Sequence, residues 1–117
     1  MGSGWYVQDL FLYYRSMADR KRLAIVQYLA QNGEMSVTDL SKRLRLSQPL
    51  VSWHLSLLRK AGIVQTRKAG RIVFCSLDRN AMQGYQRRLE ALLNGESPPR
   101  HEAADTSRLV TNGAGPK

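Results

Sequence analysis

The segment from Ser47 to Gly62, SQPLVSWHLSLLRKAG, contains the side chains of this chain that are best suited to a specific chemical task. Gln48 and Ser52 lie one helical turn apart, and an amide and a hydroxyl can form hydrogen bonds with base edges in a DNA major groove. Trp53 and His54 follow Ser52 directly. We expect these four residues to read bases. Solvent-facing polar groups are the alternative for Gln48 and Ser52, packing on a neighbouring helix for Trp53, and a hydrogen bond within the domain for His54.

Cations surround this segment. Between Leu40 and Leu77 there are eight Lys or Arg residues and no Asp or Glu. Positive side chains beside a recognition helix offset phosphate charge, whereas a merely solvated charged face is the alternative. The residues expected to contact the DNA backbone, partly from a β hairpin, are Lys42, Arg43, Arg45, Ser47, Ser56, Arg59, Lys60, Arg67, Lys68 and Arg71.

The net charge of the whole chain supports the same interpretation. The 117 residues carry a formal charge of +9. Residues 1–94 hold 15 basic and 6 acidic side chains, a difference of +9, and the remaining acids and bases cancel. The excess charge therefore lies on the predicted domain and favours a structured surface that binds a polyanion. With 43% apolar residues the core is small, so oligomerisation would help to stabilise it.

Several classes of protein are excluded by composition. One cysteine, Cys75, cannot form an internal disulfide, and no apolar run has the length of a membrane span or a secretion signal. These features fit a reducing cytoplasm and no membrane partner. Two histidines and scattered carboxylates form no nucleophile and base pair, no metal-ligand spacing and no glycine-rich phosphate loop. We therefore expect neither an enzyme nor a cofactor.

Helix signals position the segment within a larger unit. Residues 5–17 have a helical pattern, Asp19 can cap a second helix that stops at Asn32-Gly33, and residues 36–39 resemble a capping box that opens a third helix. Ser47 is the expected N-cap of the fourth helix. Helix, short turn and helix predict a helix-turn-helix.

A β hairpin and a final helix follow. Residues 63–67 and 71–75 are rich in β-branched side chains and predict two strands with Lys68-Ala69-Gly70 at the tip, a basic wing. Asp78 can cap a last helix that ends at Asn94-Gly95. The predicted fold is mostly α with a small β hairpin (α+β), a winged helix-turn-helix in the order α-α-α-α-β-β-α. Residues 1–95 form the DNA-binding and dimerisation domain, and residues 96–117 a disordered tail.

Apolar side chains at both ends of the domain predict a homodimer. Residues 5–17 are apolar on more than one face, which exceeds what packing on their own domain requires. A second apolar seam runs along the last helix. The residues expected at the dimer interface are Tyr6, Leu10, Phe11, Tyr14, Met82, Tyr85, Leu89 and Leu92.

Three stretches resemble the winged-helix repressors of the ArsR/SmtB family. Residues 17–23 (MADRKRL) are similar to the family's L-A-D-P-T-R-L opening, and residues 36–44 to its S-V-x-D-L-A-x-x-L. Residues 47–64 are similar to S-Q-x-x-V-S-x-H-L-x-x-L-x-x-A-G-L-V, the most specific part of a match that spans roughly residues 10–93. The resemblance implies a homodimer that binds an imperfect palindrome in a promoter and represses transcription until an effector releases it.

Departures from the family pattern concern the effector. Family metal sensors carry Cys-x-Cys in the third helix, where this chain has Ser36 and Thr38, and Asn80 stands where another family site has His. Hydroxyls are poor ligands for soft ions, so we expect no metal at these sites. Arg45 occupies a turn position where many relatives have Gly.

Two kinds of effector remain open. Cys75 is expected to be a buried small hydrophobe, with a redox sensor as the alternative, and an organic ligand in the dimer crevice is the other candidate. The alternative function is a winged-helix module for protein assembly with weak or secondary DNA binding.

Overall fold

Five helices and one three-stranded antiparallel sheet make up residues 2–96, the part of the chain that the computed structural model describes, with side chains from residue 7 onward. The side chain of Tyr6 and all of the predicted tail except Glu96 lie outside the described residues. In chain order the elements are α1 (Gly2–Met17), α2 (Arg20–Asn32), β1 (Glu34–Ser36), α3 (Val37–Leu44), α4 (Gln48–Lys60), β2 (Val64–Ala69), β3 (Ile72–Leu77) and α5 (Arg79–Leu93).

All four predicted helix caps are confirmed. The side chains of Asp19, Ser36, Ser47 and Asp78 each accept a hydrogen bond from a backbone N–H in the first turn of the helix that follows. These bonds satisfy donors that have no partner within the helix. The helix-turn-helix is therefore bounded by local hydrogen bonds that the sequence already specifies.

The sheet differs from the predicted two-stranded hairpin. The strand order is β1-β3-β2, and β1 pairs with β3 from Glu34 opposite Ser76 to Ser36 opposite Phe74. The prediction missed β1 because three residues are too short to show a periodicity, and their pairing partner is distant in sequence. The predicted hairpin tip is also wrong: Ala69 pairs with Ile72, and the turn is Gly70-Arg71, with Gly70 at a φ of 65°.

The core lies where α2, α3 and α4 pack against the sheet. Its fully buried side chains include Ile25, Leu29, Leu40 and Leu58. Cys75 is also completely buried, as predicted, and burial raises the pKa of its thiol to about 11. A thiol that is both inaccessible and protonated is a poor redox sensor.

A second, smaller layer joins α1 to α5. The rings of Tyr13 and Tyr85 stack with their centroids 4.1 Å apart, and the carboxylate of Asp9 forms a buried salt bridge with Arg88. Leu10 is 5% exposed and packs in the hydrophobic core together with Tyr13 and Tyr85. Leu10 and Tyr85 therefore lie in the interior of one chain, which corrects their assignment to the dimer interface. Apolar type alone could not separate the two faces of each helix.

The remaining interface residues are accessible to different degrees. Phe11 and Tyr14 on α1 are exposed, together with Val7 and Leu12. Met82, Leu89 and Leu92 on α5 are half-buried. Among the described helices, none has both the length and the apolar character needed to cross a membrane.

Candidate nucleic-acid interface

A tight turn sets the angle between α3 and α4. Arg45 adopts a left-handed conformation with φ 57° and ψ 45°, and its backbone N–H donates to the carbonyl of Ser41. The N–H of Leu46 donates to the same carbonyl at 3.1 Å. Arg45 occupies the turn position where many relatives have Gly, and its left-handed backbone costs a non-glycine residue roughly 1 kcal/mol. The guanidinium of Arg45 is left exposed beside the start of α4.

The fourth helix has one buried and one exposed face. Val51, Leu55 and Leu58 point into the core, together with His54. The opposite face carries Gln48, Ser52, Trp53, Arg59 and Lys60, all exposed. Polar and cationic side chains therefore occupy the surface that a helix would present to a major groove.

Gln48 and Ser52 lie on the exposed face as the sequence predicted. The amide nitrogen of Gln48 donates to the hydroxyl of Thr38 at 3.3 Å, an exposed contact between α4 and α3. Because this bond is long and solvent-accessible, it can be exchanged for a bond to a base edge at little cost. Ser52 is exposed two positions before the buried His54.

Trp53 is 54% exposed and is only partly packed. The guanidinium carbon of Arg22 lies 6.0 Å from the centroid of the indole ring, within the range of a cation–π contact. The ring of His54 meets it edge to face, with centroids 4.9 Å apart. Packing on the α2 side chain and contact with DNA are therefore both open to Trp53, since about half of its surface is free.

His54 is 4% exposed and must be removed from the base-reading set. Its Nδ1 lies 3.1 Å from the Nη1 of Arg22. Arginine can only donate, so Nδ1 accepts and the imidazole is neutral. Burial is the main cause that lowers the pKa of His54. The periodicity carried the signal, because residue 54 is three positions after Val51 and four before Leu58, on the inner stripe.

The expected backbone contacts fall into two groups. Lys42, Arg43, Arg59, Lys60 and the wing residues Lys68 and Arg71 are exposed, as is Arg45. The two serines form local bonds: Ser47 caps α4, and the hydroxyl of Ser56 donates to the carbonyl of Trp53 at 2.7 Å. Within residues 2–96, exposed cations thus lie on α3, in the turn after it, at the end of α4 and at the wing.

Arg67 differs from the other wing cations because it is already paired. Its Nε and Nη2 each donate to the carboxylate of Glu34 at 2.8 Å, and its guanidinium lies 4.6 Å from the ring centroid of Phe74. The hydrogen bond from Arg67 holds the pKa of Glu34 below its usual value. Arg67 therefore fixes the base of the wing to β1. Sequence reasoning missed Glu34 because it missed the strand that carries it.

The positions that correspond to the family's metal ligands have other tasks. The hydroxyl of Ser36 caps α3, and that of Thr38 accepts from Gln48. Among the described residues, no three His, Cys, Asp or Glu side chains are grouped closely enough to hold a metal ion. The donor set at Ser36 and Thr38 consists of hydroxyl oxygens, which do not fit soft metal ions.

Comparison with known proteins gives consistent matches. Residues 19–66 match the family model described as bacterial regulatory protein, arsR family. An arsenic resistance transcriptional regulator of Pseudomonas putida is 33% identical over 106 residues, which cover 89% of this chain and 80% of that protein. The arsenical resistance operon repressor of Escherichia coli is 45% identical over 60 residues, 51% of each chain.

Two further proteins are similar to this chain, one over part of its sequence and one in its solved structure. An uncharacterised HTH-type transcriptional regulator of Methanocaldococcus jannaschii is 44% identical over 57 residues, so the chain spans just under two thirds, 64%, of that protein. The solved structure of reduced HlyU from Vibrio cholerae superposes with a TM-score of 0.59 at 36% identity, covering 74% of this chain and 90% of that one. The helices and the three-stranded sheet described above therefore match a solved winged helix-turn-helix.

Proposed function

Because the chain belongs to the arsR family of bacterial regulatory proteins, we propose that it acts as a homodimeric repressor on an imperfectly palindromic operator. It is a DNA-binding transcriptional regulator and not an enzyme. The observation that carries the proposal is the outer face of α4, where exposed polar side chains stand among exposed cations with no Asp or Glu between Leu40 and Leu77. The cytoplasm is the compartment that follows from this role.

Base reading is assigned to three residues of α4. Gln48 can form a bidentate pair with adenine, and Ser52 can bond with either base of a pair. Trp53 offers an apolar surface to a thymine methyl or a sugar, because its indole is half exposed. The exposure of these three side chains supports this assignment. His54 is excluded from the base-reading residues because its side chain is buried.

Backbone binding is assigned to the exposed cations around α4 and to the tip of the wing. Lys68 lies two residues before the Gly70-Arg71 turn, and Arg71 is part of that turn. Neither has a salt-bridge partner among the described residues. Cations of this kind bind phosphates and give affinity without sequence preference. Arg67 is excluded from this group as long as Glu34 holds it.

A second copy of the chain is the proposed partner of α1 and α5. Phe11 is 53% exposed, and Val7 and Tyr14 on the same helix are also exposed. Leu93 at the end of α5 is exposed as well. Large apolar side chains grouped on a small domain mark an interface. Two-fold symmetry would then require two half-sites whose centres lie about 10 base pairs, or a multiple, apart.

A gel shift with the DNA upstream of the protein's own coding region tests this function. We expect a discrete complex that survives an excess of random-sequence competitor and weakens steeply with salt. Gln48→Ala should reduce this preference while the protein stays folded. Equal affinity for upstream and random DNA at every salt concentration would favour the protein-assembly module instead.

A further inference from the structure

An open cleft is bounded by the end of α1, the start of α2 and the second half of α4, whose exposed Trp53 and Lys60 form part of its wall. Its volume is about 510 Å³, within the roughly 300–1,000 Å³ range of pockets that bind small molecules. Apolar and cationic side chains both line it. The apolar ones are Leu12, Trp53, Leu57 and Ala61, and the cationic ones are Arg15, Arg22 and Lys60.

The charge of the cleft selects the sign of an occupant. Three cations line it, and no Asp or Glu of the described residues does. Arg15 and Lys60 form no salt bridge with any described residue. An anionic group placed between them would gain charge-assisted hydrogen bonds. A neutral occupant would form no charge-assisted hydrogen bonds with these cations.

The apolar wall selects the body of the occupant. Trp53 is 54% exposed and Leu12 is 45% exposed, which leaves a large apolar area in contact with water at the cleft. A flat ring can stack on an indole and remove that area from water. A phosphate or sulfate ion could use the cations but not the apolar wall. A planar organic anion uses both.

Arg22 connects the cleft with the recognition helix. Its Nε donates to the carbonyl of Ser16 at the end of α1 at 2.7 Å, and its Nη1 donates to the Nδ1 of His54 on α4 at 3.1 Å. Its guanidinium also lies beside the ring of Trp53. One side chain in the wall of the cleft therefore holds α1 and α4 in their relative positions.

We infer that the cleft between α1, α2 and α4 is a binding site for a planar organic anion, and that Arg22 transmits its occupation to the recognition helix. An anion competes with His54 for the donors of Arg22 and covers the exposed indole of Trp53, so the orientation of α4 changes. It also brings negative charge close to Lys60, which faces phosphate in the proposed complex. Occupation therefore weakens DNA binding, and DNA weakens binding of the anion by the same factor. This coupling, unlike the site itself, rests on the proposed function.

The test uses 1-naphthoate as the probe and 1-naphthylmethanol as its neutral control. Calorimetric titration into the full-length protein without DNA should show saturable binding of naphthoate and at least about tenfold weaker binding of the alcohol. The Trp5→Phe variant retains Trp53 as its one tryptophan. In the proton NMR spectrum of this variant, naphthoate should shift the resonance of the Trp53 indole N–H.

Three variants localise the site. Arg15→Gln and Lys60→Gln should each weaken naphthoate binding roughly tenfold, because each removes one charge-assisted hydrogen bond to the anion. Arg79→Gln removes the same charge from the exposed start of α5, outside the cleft, and should leave the affinity unchanged. Equal binding by all three variants and the wild type would overturn the proposed site. Naphthoate binding only by a monomeric Phe11→Asp variant would also overturn it, because a second copy would then fill the cleft.

The coupling is measured separately. Saturating naphthoate should weaken binding to the upstream DNA about fivefold or more, and the alcohol should not. Unchanged DNA affinity with the probe bound would overturn the role of Arg22. Because the probe titration contains no DNA, a chain that binds naphthoate but no DNA would refute the proposed function alone. A chain that binds DNA but no naphthoate would refute the cleft alone.

Discussion

Two arginine–carboxylate pairs in this domain have similar chemistry and opposite surroundings. The Asp9–Arg88 pair between α1 and α5 has side chains that are 6% and 9% exposed, whereas those of the Glu34–Arg67 pair between β1 and β2 are 38% and 57% exposed. Water screens the second pair and has little access to the first. Burial therefore makes one pair a structural element of the helical layer and leaves the other available for exchange at the wing.

The same difference separates the two layers of the molecule. In the α1–α5 layer the buried charges are satisfied within the chain, and the Arg88 guanidinium also lies 4.9 Å from the ring centroid of Tyr85. Around α4 and the wing most cations are exposed and unpaired among residues 2–96. A surface whose positive charge is not neutralised by its own chain is the one suited to phosphate.

The largest effect is expected from breaking the buried pair. Asp9→Ala leaves the Arg88 guanidinium buried without its carboxylate, and we expect the free energy of unfolding to fall by about 3–5 kcal/mol. Urea unfolding monitored by circular dichroism would measure this. The double variant Asp9→Leu, Arg88→Met is the control, because it removes both charges and should be much closer to the wild type in stability. A single variant as stable as the wild type would contradict the structural role of the pair.

A smaller effect, confined to DNA binding, is expected at the exposed face of α4. Gln48→Ala should weaken binding to the operator by roughly 1–3 kcal/mol and leave binding to random DNA nearly unchanged. Its hydrogen bond to Thr38 is exposed and long, so unfolding should change little. Fluorescence anisotropy with both duplexes would separate these outcomes. An equal loss on both duplexes would show that Gln48 does not read bases.

The wing should respond through salt dependence. Neutralising Lys68 or Arg71 with Gln should weaken binding to all DNA about equally and reduce the slope of log K against log salt by about one unit for each phosphate that the side chain neutralises. Arg67→Gln is the comparison variant, since its guanidinium is held by Glu34. We expect a smaller change in slope for Arg67→Gln. Unchanged slopes for all three variants would place the wing away from the DNA.

The smallest effect is expected from the exposed pair. Arg67 lowers the folded-state pKa of Glu34 through a hydrogen bond, so the stabilisation it gives is present above the ordinary carboxyl value of 4.5 and is lost as the pH falls through the lowered value. Because the pair is exposed, we expect this loss to be slight and to shrink in high salt. Thermal unfolding of the wild type and of Glu34→Gln between pH 7 and pH 3 would measure it. A loss as large as that of Asp9→Ala would remove the distinction between the two pairs.

Local signals in the sequence determined much of the fold. The caps at Asp19, Ser36, Ser47 and Asp78 were predictable because each depends on a side chain and an N–H two or three residues away. The order of helix, turn and helix followed from the same local rules. The helical period of α4 also indicated that His54 is interior. The prediction placed it among the base-reading residues because a polar imidazole is a typical DNA contact.

Tertiary structure decided what depends on contacts between distant residues. β1 exists because β3 pairs with it, and only that strand brings Glu34 to Arg67. Leu10 and Tyr85 are interior because α1 packs on α5 at one of two apolar faces, which their residue types do not distinguish. The sequence by itself specified helices, caps and an excess of positive charge. Which charges are neutralised, and which remain for a ligand, was set by packing, because a salt bridge depends on proximity in space and not along the chain.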